Sequence, residues 1–260
     1  MIADLRPTIA DLRPITLDEV VARAALLTRV DRKYVVSLRE ARELMAAVPA
    51  DTRVLEIERR RAFGYRSAYL DTPGLHSYLG AGRSHRRRWK VRTRTYLDAG
   101  PDATSTWLEV KTRGGRDQTL KQRIAHPDAE LHRGLTGEGR AFVGAVVGDW
   151  HAATLRPVLA TAYQRSTLFL PSSASRVTLD VDLGWSSLRA VRDLDRPALA
   201  IIETKTGSTP SAVDRLFWSR GHRPLRISKY GVGMAALSPT LPRLKWHHVL
   251  DRHLGLPRAA

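Results

Sequence analysis

The 260-residue chain has no cysteine. That excludes a disulfide framework, a thiolate metal site and a cysteine nucleophile. It also lacks any apolar run near the ~18 residues that a membrane-spanning helix needs; the nearest, Ala141–Gly148, is far too short. Met1–Pro14 carries Asp, Arg and Pro where a signal peptide requires an apolar centre. No Gly-x-x-x-x-Gly-Lys-Ser/Thr occurs, which argues against an ATP site of the P-loop kind. These absences lead us to expect a cytoplasmic protein without a transmembrane segment.

Acidic residues are scarce relative to basic ones, 26 against 43, for a formal net charge of +17. With 43% hydrophobic and 27% charged residues the composition is that of a folded protein. A basic excess of this size calls for an anionic partner: nucleic acid, an acidic membrane face or a polyanionic small substrate. Lysine is the rarer cation, seven residues against 36 arginines. Lys33, Lys90, Lys111, Lys121, Lys205 and Lys229 fall in or beside strand-like segments, and only Lys245 does not. An ammonium is a compact point charge suited to phosphate oxygens.

The hexapeptide Ile-Ala-Asp-Leu-Arg-Pro occurs twice, at 2–7 and 9–14, too short for a structural repeat. We read residues 1–28 as an N-terminal tail or short helix, 29–238 as one domain and 239–260 as a C-terminal tail. Alternation predicts strands at Arg29–Val36, Val54–Arg60, Tyr65–Asp71, Arg87–Leu97, Thr106–Arg113, Thr119–Ala125, Pro157–Leu170, Arg176–Leu183 and Ala198–Thr206. Helices are expected after Ser37, where Glu40 completes a capping box, and over Glu138–Trp150, Thr209–Gly221 and Gly231–Leu237. Thr209 would cap the third of these, with Pro210 in its first turn. Strand runs joined by short turns predict an α+β fold, an antiparallel sheet or barrel with a few flanking helices.

Several strands carry charge on one face only. Lys90, Arg92, Arg94 and Tyr96 share a face, as do Glu109, Lys111 and Arg113, Lys121 and Arg123, and Tyr163 and Arg165. Arg176, Thr178, Asp180 and Asp182 line up opposite Val177, Leu179 and Val181, and Glu203 and Lys205 lie opposite Ile202. A solvated sheet face is also polar at period two. Solvated faces mix Thr, Ser, Gln and Lys, however, whereas these repeat basic pairs or carboxylate–lysine couples. Were the charged faces to turn inward in a barrel, the lumen would require anions, since confined like charges repel. A polyphosphate with a divalent metal would supply the neutralisation, with Glu or Asp as hard oxygen ligands.

The segments Arg-Lys-Tyr (32–34), Trp-Lys-Val-Arg-Thr-Arg-Thr-Tyr (89–96), Leu-Glu-Val-Lys-Thr (108–112), Leu-Lys-Gln-Arg (120–123), Tyr-Gln-Arg (163–165), Arg-Val-Thr-Leu-Asp (176–180), Ile-Glu-Thr-Lys (202–205) and Ser-Lys-Tyr (228–230) occur in this order. Together they resemble the catalytic domain of the vacuolar transporter chaperone (VTC) polyphosphate polymerases, in the triphosphate tunnel metalloenzyme superfamily. Tyr-Leu-Asp-Thr-Pro at 69–73 resembles that family's strand end. The resemblance implies an antiparallel β-barrel tunnel of about eight strands with a basic lumen, and transfer of the γ-phosphoryl group of ATP to inorganic polyphosphate with Mn²⁺ or Mg²⁺.

By that resemblance Arg92, Arg94, Lys111, Arg165, Arg176 and Lys205 would act catalytically. Lys33, Lys90, Lys121, Arg123, Tyr163, Ser228 and Lys229 would bind substrate, and Glu203 and Glu109 would hold metal. The partners implied are ATP and inorganic polyphosphate, with no specific nucleic acid. The chain is expected to act as a monomer, with room for a separate membrane partner. Glu-x-Glu-x-Lys, carried by other branches on the first strand, is replaced here by Arg29-Val-Asp31-Arg-Lys33, which disfavours a thiamine-triphosphatase or adenylate-cyclase reading. Two alternatives stay open: hydrolysis of tripolyphosphate or nucleoside triphosphates on the same fold, and a non-catalytic polyphosphate-binding module. Thr112–Arg116 reads as a turn, Arg86–Arg88 as a solvated flank, and His247, His248 and His253 as part of a solvated tail.

Overall fold

The computed structural model describes residues 9–23, 30–98, 106–113, 119–127 and 134–256. The first copy of the duplicated hexapeptide, Arg29 and the glycines of the 112–116 turn lie outside the described residues. In chain order the first elements are β1 (Arg13–Ile15), α1 (Leu17–Arg23), β2 (Val30–Ser37), α2 (Leu38–Ala46), β3 (Arg53–Leu55), β4 (Phe63–Asp71) and α3 (His76–Gly82). Then come β5 (Trp89–Tyr96), β6 (Thr106–Arg113), β7 (Thr119–Ala125), α4 (Gly137–Val147), α5 (Asp149–Thr154) and β8 (Arg156–Leu170). The last are β9 (Ser175–Ser187), β10 (Asp193–Arg196), β11 (Leu199–Thr206), α6 (Ala212–Ser219), α7 (Lys229–Leu237) and α8 (His247–Arg252). Among the described residues no helix is long and apolar enough to cross a membrane.

These elements form two units. One draws on Met1–Phe63, Tyr163–Leu183 and Arg196–Arg226, the other on Gly64–Ala162, Gly184–Asp195 and Ile227–Ala260. Neither unit is a continuous stretch of chain, because β8 and β9 contribute to both, and so no linker punctuates the sequence.

In the first unit the strand order is β2-β11-β9-β8, with β3 pairing β8 and β1 pairing β3 in parallel. β11 is antiparallel to both β2 and β9. Valine and isoleucine on one face of these strands form a core with α2 and α6: Tyr34, Val36, Leu44, Leu168, Val177, Leu179, Ile202 and Phe217 are all buried. Tyr34 stacks on Phe217 with ring centroids 4.4 Å apart, and its hydroxyl donates to buried Asp214 at 2.8 Å. α2 begins with the expected capping box, the Ser37 hydroxyl taking the Glu40 N–H while the Glu40 carboxylate accepts the Ser37 N–H.

In the second unit the order is β8-β4-β5-β6-β7, with antiparallel ladders β4–β5, β5–β6 and β6–β7. Leu70, Trp89, Val91, Leu108 and Val110 form one side of its core, packed with Val143 of α4, Ala152 of α5 and Leu155. The expected antiparallel sheet with flanking helices is therefore what the chain forms; among the described residues it does not close into the expected barrel, its main path ending at β2 and β7.

Four local expectations differ. The strand predicted at Val54–Arg60 stops at Leu55, and Ile57–Arg60 closes a tight turn with Glu58 and Arg59 at positive φ (49° and 63°). The helix predicted over Glu138–Trp150 is two helices broken at Gly148, whose φ of 95° only glycine adopts without strain. α6 starts after Ser211 rather than Thr209, because Ser211 and Asp214 complete a reciprocal capping box. Part of the segment read as a solvated C-terminal tail is packed: Trp246, Val249 and Leu250 are buried and His247–Arg252 is helical.

Candidate phosphate-binding site

The sheet of the second unit brings its charged faces into register. Lys90, Lys111 and Lys121 lie directly opposite one another across β5, β6 and β7. The next row is Tyr69, Arg92, Glu109 and Arg123, and the one after begins Ser67, Arg94, Trp107. Like charges directly opposite in a sheet are destabilising, so a row of three lysines has no explanation in stability alone.

The carboxylate of Glu109 stands among these cations. Glu109 is fully buried. Its Oε2 accepts from Arg92 Nε at 2.8 Å and NH2 at 2.6 Å, and its Oε1 faces Lys121 Nζ at 2.5 Å. Burial alone would raise its pKa, but Arg92, Arg94 and Lys121 outweigh that and hold the carboxyl far below its ordinary range. Aromatic rings brace the arginines. Arg92 lies 5.8 Å from the Tyr69 ring and donates to its hydroxyl at 3.1 Å; Arg94 lies 5.4 Å from Tyr65 and Arg123 4.3 Å from Trp107.

The surplus shows in Lys111. Arg92, then burial, then Arg94 hold its ammonium well below the usual lysine range, and Glu109 offsets them only in part. Burial also lowers Lys121. The cations of this array thus lower the pKa of Lys111 in their midst. We expect Lys111→Met to raise the melting temperature of the free protein by a few degrees, about 1 kcal/mol. Calorimetric unfolding without added anion checks it. Lys90 reaches Ser228, the residue that caps α7, with Nζ 3.1 Å from Oγ.

The first unit holds a second cluster. Lys33 is opposite Glu203, which is opposite Thr178; Asp31 is opposite Lys205, which is opposite Arg176. Glu203 Oε1 pairs with Lys33 Nζ at 3.3 Å and with Lys205 Nζ more closely. Both lysines engage that one oxygen. Burial would raise the Glu203 carboxyl, but Lys205 and Lys33 hold it well below its ordinary value. Burial lowers Lys205, with Glu203 and Asp31 opposing. Arg165 grips Asp180 with two bonds, Nε–Oδ1 at 2.6 Å and NH2–Oδ2 at 2.8 Å, and lies 5.2 Å from the Tyr163 ring.

The fifteen predicted site residues thus fall into two groups. Lys90, Arg92, Arg94, Glu109, Lys111, Lys121, Arg123, Ser228 and Lys229 belong to the second unit, and Lys33, Tyr163, Arg165, Arg176, Glu203 and Lys205 to the first. Tyr69, Tyr65 and Asp180 were not among them, and alternation on their own strands is the signal that places them. Among the described residues no three acidic or histidine side chains gather as a metal site.

No curated protein matches the chain. The solved structures similar to this chain include two cyclase-like proteins. One is a proposed adenylate cyclase from Bacillus halodurans, 14% identical, with a TM-score of 0.45 over 74% of this chain and 87% of that one. The other is the proposed adenylyl cyclase HpAC1 from Hippeastrum, described as having a dominant triphosphatase activity. It is 14% identical, with a TM-score of 0.47 over 84% of this chain and 99% of that one. The model of the VTC domain matches residues 28–238, which include all fifteen predicted site residues. The chain belongs to the VTC-domain family.

Proposed function

We propose that the protein is a polyphosphate polymerase. In this reading a terminal oxygen of inorganic polyphosphate attacks the γ-phosphorus of ATP, the bond from that phosphorus to the β–γ bridging oxygen breaks, and ADP leaves. The observation that carries the reading is the Lys90–Lys111–Lys121 row beside Arg92 and Arg94. Phosphoryl transfer needs alignment and charge neutralisation rather than a protein nucleophile. An anionic acceptor approaching an anionic donor needs these more than water does. Preorganised guanidinium and ammonium groups supply them without reorganising during the reaction.

The two carboxylates suit different roles. Both oxygens of Glu109 are taken by cations inside the sheet, which suits orienting Arg92 and Lys121. Glu203 engages its lysines through Oε1, leaving Oε2 for a hard cation that phosphate oxygens complete. Glu203 rather than Glu109 is thus the residue that fits Mn²⁺ or Mg²⁺. A divalent ion held there would draw charge off the phosphate oxygens. Lys33, Lys205, Arg165 and Arg176 would hold phosphate oxygens in that unit.

Incubation with ATP and Mn²⁺, with and without short polyphosphate, tests the reading. We expect ADP and a ladder of polyphosphate on a gel. Free phosphate without a ladder would make the protein a hydrolase, and polyphosphate binding without turnover a binding module.

A further inference from the structure

Four donors converge on one buried carboxylate in the second unit. Asp71, at the end of β4, is fully buried. It accepts the backbone N–H groups of Thr72 (2.8 Å), Ser77 (2.9 Å) and Tyr78 (2.9 Å), and the Tyr230 hydroxyl at 2.5 Å. The first three are local and start α3. The fourth comes from a residue 159 positions later, in the first turn of α7. Burial, then Asp71, raises the Tyr230 phenol well above its usual range, so it keeps its proton and donates.

Tyr230 stands between this carboxylate and the phosphate cluster. Its ring stacks on Tyr69 at 5.0 Å and 21°, and the Tyr69 hydroxyl receives Arg92. Immediately before it lie Ser228, which accepts from Lys90, and Lys229, whose carbonyl accepts the Trp185 indole N–H at 2.9 Å. The rest of α7 has little freedom to shift. A Cβ on Gly231 would lie 2.1 Å from Trp246, and one on Gly233 would lie 2.2 Å from Trp185.

We infer that Asp71 and Tyr230 are positioning residues for phosphate binding: their hydrogen bond fixes the first turn of α7, setting Ser228 against Lys90 and Tyr69 against Arg92. The inference rests on reading the lysine row as a phosphate site. Neither residue touches phosphate; both act through the cations they place. A misplaced ammonium or guanidinium loses a charge-assisted bond to an anion even when the fold survives.

The test is calorimetric titration of tripolyphosphate into the full chain and two variants, with thermal unfolding alongside. Tyr230→Phe keeps the ring and its stack and removes only the donor to Asp71. Tyr78→Phe removes another buried hydroxyl of this region, the one donating to Pro242 O at 2.7 Å, which holds none of the cations. Tyr230→Phe should weaken tripolyphosphate about tenfold, as for one lost bond to a charged group. Tyr78→Phe should stay within about twofold of the parent at similar loss of stability. Parent-like binding by Tyr230→Phe, or equal weakening by both variants, overturns the inference and leaves the lysine row standing. Failure of the parent to bind tripolyphosphate overturns the reading of the row itself, and the inference with it.

Discussion

Replacing Arg92 with alanine should lower turnover a hundred- to thousandfold, and it should also destabilise the fold. The rate loss corresponds to about 2.7–4 kcal/mol of transition-state stabilisation, as for other preorganised donors. The second effect has a separate cause. Arg92 supplies both bonds to Glu109 Oε2, and Glu109 is fully buried. Removing Arg92 strips Oε2 of both its bonds while Lys121 still faces Oε1, and losing one partner of a buried pair costs about 3 kcal/mol. The two effects separate in the double variant Arg92→Ala/Glu109→Gln, which should regain much of the lost stability and none of the activity. Denaturant unfolding and initial rates on the three proteins measure this. Recovery of activity in the double variant would mean that Arg92 serves only to neutralise Glu109.

Glu203→Gln should reduce Mn²⁺ affinity and cut turnover on the order of a hundredfold, the scale of a lost metal contribution to charge stabilisation. The substitution keeps size and shape while removing the charge between Lys33 and Lys205. Glu109→Gln should do the reverse. It destabilises the protein, because Arg92 and Lys121 lose their partner, and leaves Mn²⁺ affinity near that of the parent. Titration of Mn²⁺ with tripolyphosphate present reads affinity without relying on activity. If Glu203→Gln binds Mn²⁺ as the parent does, the metal role belongs to another residue.

Much of the site was legible in period-two alternation. The charged faces of Lys90-Arg92-Arg94, Glu109-Lys111 and Glu203-Lys205 could be read strand by strand, because a side chain's face depends only on its position in the strand. Register could not. That Lys90, Lys111 and Lys121 form one row depends on where each hairpin closes, and a slip of one residue would have turned one of them to the other face. The capping box at Ser37 was legible because its partner is three residues away. At α6 the Thr209-Pro210 pattern pointed to a start two residues early, and the reciprocal bonds of Ser211 and Asp214 set the actual one.

Pairings distant along the chain left no trace in the sequence. Tyr34 meets Asp214 180 positions away, and Asp71 meets Tyr230 at 159. In each case the sequence shows a tyrosine and an aspartate in unrelated segments, and only packing brings them together. The C-terminal residues misled for a different reason. The histidines at 247, 248 and 253 suggest solvent, while Trp246 between them and α7 is wholly buried against Gly231.

In the proposed polymerase the Lys90–Lys111–Lys121 row is where the anion binds. Lys111 is held below its ordinary pKa in the free protein, chiefly by Arg92. A bound triphosphate would oppose that field and raise the Lys111 pKa, so binding would take up protons where the pH lies between the free and bound values. By linkage the affinity then falls as pH rises through that window. The measurement is calorimetric titration of tripolyphosphate in two buffers of different ionisation enthalpy. We predict net proton uptake that Lys111→Met reduces, together with weaker binding by that variant. Binding without proton uptake, unchanged in Lys111→Met, would contradict the account.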